Sequence, residues 1–302
     1  MAATTSSVTA SDGATLAVHR YTEIDAARPT ILAIHGWPDN HHLWDPVARE
    51  LEERYAGRYN VVAYDVRGAG ESSRPARRSA YSFAQLVSDI GAVIDSLGVG
   101  RVHLLAHDWG SIAAWAAVTD DDVMAKVASF TSISGPHLGY AGRFLRSART
   151  PRAVGQVAMQ LLGSLYIAFF LCPGVPELAF RSRIGVLVHR ALERIGRPRT
   201  GGRRDPTPRS IGDYVTGLKL YRANMPGPML SPGPVLPQTA VAVQTLVPRR
   251  DVFVTPALQR FTGSIPHGGR VIPIEGGHWV VTSRPEVIAE LTAEWVDRHV
   301  NA

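Results

Sequence analysis

With 302 residues, 45% hydrophobic and 19% charged, the chain can bury one large core, or a core with a sizeable insertion, and reads as globular rather than disordered. Its single cysteine excludes an internal disulfide, so nothing points to an oxidising compartment. The net charge of +6 is concentrated: residues 137–236 hold 15 Lys/Arg against 4 Asp/Glu and the remainder 17 against 22, which marks the middle third as a separate unit.

The N-terminus has no basic n-region and no apolar h-region, so no signal peptide is read and a cytoplasmic location is expected. Residues 8–10 and 15–21 flank Ser11-Asp12-Gly13 and predict a hairpin. Short apolar runs at Thr30–Ile34, Asn60–Tyr64, 101–106 and 126–134 read as strands buried on both faces. Between them, residues 82–97 carry a helical pattern that Ser82 can cap. Cys172 reads as an apolar side chain in a buried segment, and residues 197–209 (RPRTGGRRDPTPR) as an exposed loop. The alternation resumes with strands at 242–247 and Arg270–Ile274 and a helix over 285–299, so the fold class is α/β, a mostly parallel sheet covered by helices.

The stretch LLAHDWGS (104–111) carries the chemistry. It puts Asp108 on a tight strand-to-helix turn at the carboxyl end of the sheet, with Ala106 and Gly110 leaving room for strained backbone. On the turn alone, Asp108 could equally be a helix cap. The rest of the chain decides in favour of a nucleophile, because its partners are present. EGGHWV places His278, the candidate base, on a glycine-rich loop after the last strand. No Asp or Glu lies between Val123 and Pro176, so the orienting acid falls to Asp251, after the next core strand. The order Asp108…Asp251…His278 is nucleophile, acid, histidine. The backbone N–H groups of Trp37, in HGWP, and of Trp109 can converge above Asp108 as an oxyanion hole. His35, Asp65 and Arg67 read as structural. A metal site would need His35, His41 and His42 to converge without a matching carboxylate pattern, so no metal and no cofactor are expected.

Together, HGWP, AHDWGS, Asp251 and GGHWV resemble the α/β-hydrolase superfamily, in its epoxide hydrolase and haloalkane dehalogenase branch, over nearly the whole chain. LLAHDWGS and VASFTSISGPH look like actinobacterial epoxide hydrolases, whose hydrolase domain is sometimes fused to a short-chain dehydrogenase. No second domain is expected, since the last helical pattern is the final helix of that fold. The resemblance implies a core of residues 1–136 and 237–302 with a helical cap at 137–236.

A carboxylate, with a pKa near about 4, is ionised at neutral pH and can attack an sp³ carbon without a base. The resulting ester at Asp108 would be hydrolysed by water that His278 activates, which suits an epoxide or a haloalkane and argues against an esterase. Dehalogenases typically carry Asn after the HG pair, where this chain has Trp37. In epoxide hydrolases two cap tyrosines donate to the epoxide oxygen; the resemblance places Tyr166, in SLYIAFFLCPGVPE, and Tyr221, in GLKLYRANM, at those positions, with Tyr140 and Tyr214 left to packing. The prolines after Tyr221 leave its geometry less defined. The leading expectation is therefore hydrolysis of a lipophilic epoxide to a vicinal diol, with water as co-substrate. Haloalkane dehalogenation and a non-catalytic binding protein of the same fold are the alternatives.

The apolar stretch 154–175 is interrupted by Gln156, Gln160 and Ser164 and lacks the roughly 20 uninterrupted apolar residues of a membrane span. Arginines bracket it at 143, 146, 149, 152, 181 and 183. Peripheral contact with anionic lipid is the expectation they raise, against an ordinary solvated face. Nucleic acid is not expected, for lack of an aromatic-interleaved basic motif. A homo-oligomer is left open.

Overall fold

The Ser11-Asp12-Gly13 turn joins β1 (Thr4–Thr9) to β2 (Thr15–Arg20) in the expected antiparallel hairpin. This computed structural model describes residues 3–194, 207–231 and 236–300. The other strands are β3 (Thr30–Ile34), β4 (Asn60–Tyr64), β5 (Val102–His107), β6 (Val127–Ile133), β7 (Ala242–Pro248) and β8 (Arg270–Ile274). Among the described residues these eight form one sheet, ordered β1-β2-β4-β3-β5-β6-β7-β8, parallel from β4 to β8.

Helices α1 (Asp45–Tyr55), α2 (Phe83–Ser96), α3 (Trp109–Ala117) and α4 (Asp121–Met124) connect the first six strands. Between β6 and β7 the described residues form helices α5 (Leu138–Leu145), α6 (Pro151–Gly163), α7 (Leu165–Leu171), α8 (Val175–Arg181), α9 (Ile184–Leu192), α10 (Ile211–Asn224) and α11 (Gly227–Leu230). Then come α12 (Pro256–Gly263), α13 (Val280–Ser283) and α14 (Pro285–Arg298).

The two-residue period of a strand divides the core. In β3, Ile31 and Ala33 pack with Val47 and Leu51 of α1 and Ile288 of α14, while Leu32 and Ile34 pack on the other face with Leu86 and Ile90 of α2 and Trp115 of α3. Each such Leu or Ile, fully buried, stabilises the fold by about 1.5–3 kcal/mol.

β8, the edge strand with a single neighbour, is only partly buried. Three local expectations need correction. Ser82 sits at the N-cap of α2 but makes no side-chain cap; instead the Phe83 N–H donates to Asn224 Oδ1 of α10 at 2.9 Å, so a tertiary contact replaces the local one. Cys172 is exposed, just past the end of α7. Of the segment 197–209, residues 197–206 lie outside the described residues, and Arg209 has a buried side chain, 4% exposed, paired with Asp39 and Glu193.

Candidate active site

β5 ends at His107 and α3 begins at Trp109, so Asp108 alone makes the turn, at φ 51° and ψ −124°. A residue with a Cβ holds this conformation only where its surroundings fix it. Here the Asp108 N–H donates to Ile133 O at 3.0 Å. Gly110 lets α3 press under β3, since a Cβ there would lie 2.3 Å from Ile34 O. Gly36 does the same for the loop after β3: its Cβ would lie 2.3 Å from Asp108 Oδ1.

That loop brings the Trp37 N–H to Asp108 Oδ1 at 2.8 Å, and the Trp109 N–H, next in the chain, also favours the charged carboxylate. The other oxygen, Oδ2, faces His278 Nε2 at 3.5 Å. His278 Nδ1 lies 3.2 and 3.1 Å from the two Asp251 oxygens. Asp251 also accepts from the Phe253 and Val254 N–H groups, both at 3.0 Å, and from Gln259 Nε2 at 3.1 Å. All three titrating side chains are buried.

Tyr166 of α7 and Tyr221 of α10 join these groups around a cavity of about 310 Å³. Phe170, Phe180, Val188 and Trp279 supply much of its apolar wall. The Tyr221 ring packs edge-on against Trp109 and Tyr166, with ring centroids 4.8 and 6.1 Å apart. Tyr140 and Tyr214 are buried; the Tyr140 hydroxyl donates to Pro237 O at 2.6 Å, and the Tyr214 ring packs on Trp37. Arg222, next to Tyr221, donates to both oxygens of Glu177 at 2.5 and 3.0 Å and so fastens α10 to α8.

The electrostatics follow from this crowding. Burial opposes ionisation of Asp108, but the hydrogen bond and charge of His278 outweigh it and hold the carboxyl below its ordinary 3.8. Burial would neutralise His278, yet the flanking Asp251 and Asp108 raise its pKa to about 10. In the free site His278 is therefore an imidazolium between two carboxylates. Burial raises the pKa of both Tyr166 and Tyr221, and the Asp108 charge adds to it, so both stay protonated as donors.

Several residues that shape the site carried no signal in the sequence. His107, beside Asp108, donates from Nε2 to the His278 carbonyl at 2.9 Å. Gln160 of α6 is buried and grips the loop after Asp251, donating to Phe253 O and accepting from the Thr255 N–H, each at 2.8 Å. Asp39 receives Arg209 on one oxygen and Trp279 Nε1, at 3.3 Å, on the other. His189 of α9 lines the cavity, is buried, and has no hydrogen-bond partner on either ring nitrogen among the described residues. Burial, then the charges of Arg209 and His278, push its pKa far below the ordinary 6.5, so the ring is neutral.

His35, His41 and His42 do not converge. His35 accepts the Val66 N–H on Nε2 and donates from Nδ1 to Gly36 O, both at 2.9 Å, and so braces the loop. His42 pairs with Asp45 at 2.8 Å. His19, His41 and Asp65 bring ligand-type atoms within 4.8 Å of one another. Both histidines already bond Asp65, at 3.0 Å each, and the second His19 nitrogen bonds Thr5. Arg67 is equally structural, gripping Asp89 and Asp12.

Residues 29–198, more than half of the chain, match the family described as the alpha/beta hydrolase fold. The chain belongs to that family. Among curated α/β hydrolase relatives, it is 34% identical over 301 residues to the probable oxidoreductase EphD of Mycobacterium tuberculosis, covering 95% of this chain and 48% of that one. It is 26% identical to epoxide hydrolase 3 of Xenopus tropicalis, over 90% of this chain and 72% of that one. The chain thus spans about half the length of the first of these relatives. A Bacillus megaterium epoxide hydrolase structure with bound inhibitor superposes with a TM-score of 0.76 at 19% identity, covering 97% and 100% of the two chains. An epoxide hydrolase structure from hot-environment metagenomes gives 0.75 at 21%, covering 98% and 99%. At such identities the likeness is one of fold.

Proposed function

We propose that this protein is an epoxide hydrolase that opens a lipophilic epoxide to a vicinal diol through an ester on Asp108. One observation carries the reading: the residue at the elbow is a carboxylate with one oxygen held by the Trp37 N–H and the other facing His278 across 3.5 Å. Oδ2 attacks an epoxide carbon as the carbon–oxygen bond breaks, and Tyr166 or Tyr221 gives its proton to the leaving oxygen. Esterification removes the Asp108 charge that keeps His278 protonated, and the ring becomes a base once its proton has passed to the tyrosinate left by ring opening. His278, oriented by Asp251, then takes a proton from water as that water attacks the Asp108 carboxyl carbon. The oxyanion forms at Oδ1, where the Trp37 and Trp109 N–H groups are already aimed. The diol leaves as the tetrahedral centre collapses to the carboxylate, its departing oxygen taking the remaining proton of the added water.

Residues 137–236 act in this reading as a cap that carries both tyrosines, over a core of 1–136 and 237–302. Epoxide hydrolase relatives support the substrate class. A dehalogenase would need free indole N–H donors for its halide. Trp37 Nε1 instead donates to Tyr214 O at 3.0 Å, which favours the epoxide. Peripheral contact of the basic cap with anionic lipid belongs to the same reading.

Single turnover in heavy-oxygen water tests the covalent step. The first diol should carry unlabelled oxygen from the enzyme, with the label entering Asp108. Label in that first diol would mean direct attack by water and overturn the mechanism. Halide release from haloalkanes without diol formation would move the dehalogenase reading ahead.

A further inference from the structure

α6 is built inside out. Its one fully buried side chain is Gln160, tied to the loop after Asp251, whereas Met159, Leu161 and Leu162 of the same helix are more than half exposed. A helix adapted to water on its outer face does the reverse. The pattern continues over α7, α8 and α9, where Leu165, Leu178 and Ile184 are 64–70% exposed. Among the described residues, eleven of the fourteen large apolar side chains that stand exposed lie in these four helices. They are concentrated in four consecutive helices rather than scattered over the surface.

By length and mean hydropathy, 1.6 over its best window, Pro151–Leu171 matches a membrane-spanning helix in length and composition only. Its attachments hold it on the protein instead. Gln160 grips the loop, and Gly163 packs so closely that a Cβ would lie 2.2 Å from Val252 O. The segment breaks at Ser164 into two helices and lies along the surface.

Charge identifies what covers the face. Arg143, Arg149 and Arg152 stand exposed at its leading end, Arg181 and Arg183 beside α8 and α9, and no Asp or Glu occurs from residue 124 to 176. Of the carboxylates near it, Glu177 is bound by Arg222 and Glu193 by Arg209. An apolar plane rimmed by arginines complements an anionic bilayer: side chains enter the acyl region and guanidinium groups meet headgroup phosphates. Phe169, Ile184 and Val188 belong both to this face and to the wall of the Asp108 cavity. The cavity mouth therefore opens within the apolar face, and a protein seated there would close it.

We infer that the outer face of α6–α9 docks on an anionic membrane and that lipid-dissolved epoxide enters the Asp108 cavity through it. The docking rests on surface observations alone; the passage of substrate rests on the epoxide hydrolase reading. Flotation of the full chain with vesicles, without substrate, tests docking. Phosphatidylcholine vesicles containing phosphatidylglycerol should bind it at least about tenfold more strongly than phosphatidylcholine alone, and rising salt should weaken binding. Leu162→Glu with Leu178→Glu, and separately Arg149→Glu with Arg152→Glu, should abolish flotation while circular dichroism stays native. Neither pair lines the cavity. Both should leave turnover of a water-soluble epoxide unchanged and slow turnover of a bilayer-dissolved one about tenfold. Equal partitioning into both vesicle types, or into neither, overturns the inference. So does light scattering that shows self-association through this face with no vesicle binding. Anionic vesicle binding without turnover of any epoxide would leave docking standing and remove the epoxide reading.

Discussion

His107 Nε2 donates to the backbone carbonyl of His278 across 2.9 Å, so the residue that precedes the candidate nucleophile holds the loop that carries its candidate base. Burial and the neighbouring His278 charge depress the His107 pKa, which keeps the ring neutral and fixes its proton on the bonded nitrogen. His107→Phe should slow ester hydrolysis by roughly 10- to 100-fold, the cost of a misplaced group, with ester formation little changed. Rapid-quench intact-mass analysis would separate the steps, and His107→Gln should restore part of the rate. Equal slowing of both steps would point to general loss of structure.

Replacing His278 itself should stop the cycle after alkylation, because Asp108 attacks without a base and ester hydrolysis needs one. With an epoxide, His278→Gln should accumulate a stable adduct of substrate mass, and Asp108→Asn none. If His278→Gln gave no adduct while wild type turned over, the roles of the two residues would have to be exchanged or abandoned.

Tyr166→Phe and Tyr221→Phe should each slow alkylation. Loss of one donor to developing negative charge costs about 2.7–4 kcal/mol in comparable sites, or roughly two to three orders of magnitude in rate. The double variant should be slower still. Stopped-flow tryptophan fluorescence, with Trp37 and Trp109 against the reacting groups, gives the measurement. Unchanged alkylation in both single variants would exclude tyrosine assistance.

The protonation of His278 sets a pH dependence with a definite sign. Its pKa in the folded site is about 10, above the ordinary 6.5, so the protein binds this proton more tightly folded than unfolded. The resulting stability is fully present below pH 6.5, declines above it, and is lost as pH rises through about 10. Asp108→Asn removes one of the charges responsible and should lower the pKa. Nitrogen NMR at pH 8 should show an imidazolium in wild type and a larger neutral fraction in Asp108→Asn. A neutral His278 in both would overturn the picture of the resting site.

His189 trades stability against recognition. A buried polar group without a partner costs about 1–3 kcal/mol, so His189→Leu should raise the melting temperature. The neutral imidazole offers one donor and one acceptor to the cavity, which fits a hydroxyl or ether oxygen on the substrate away from the epoxide. KM for a hydroxyl-bearing epoxide should rise in His189→Leu while KM for a hydrocarbon epoxide of the same size holds. Parallel changes in both would assign the residue to packing alone.

Legibility in the sequence followed the range of the interaction. The β3 alternation and the HDWG turn are written in neighbouring residues, and both the parallel sheet and the place of Asp108 could be read from them. The His278–Asp251 contact was reachable because the order of groups along strands of a parallel sheet is constrained. Gln160 was read as an interruption in an apolar run, yet it binds residues 253 and 255, more than ninety positions away. Arg209 was placed in an exposed loop, although its partner Asp39 lies 170 positions earlier. Such contacts leave no local periodicity. Cys172 departs from its expected burial for a related reason: the apolar surroundings that suggest burial are themselves on the outside.

Trp37 is fastened at both ends, its backbone N–H to Asp108 and its indole to the Tyr214 carbonyl of α10. Raising α10 as a rigid lid would strain the donor that faces the carboxylate. Asp39, two residues along, adds a second tether through Arg209. Motion that admits substrate is therefore expected in α6–α9, opening the Arg222–Glu177 pair that fastens α8 to α10, while α10 moves as part of the core. Amide hydrogen exchange would register this as fast opening of the former helices beside a slow α10. Permeation through a loosened wall, rather than swinging of a hinged door, then sets the rate at which bulky epoxides reach the nucleophile.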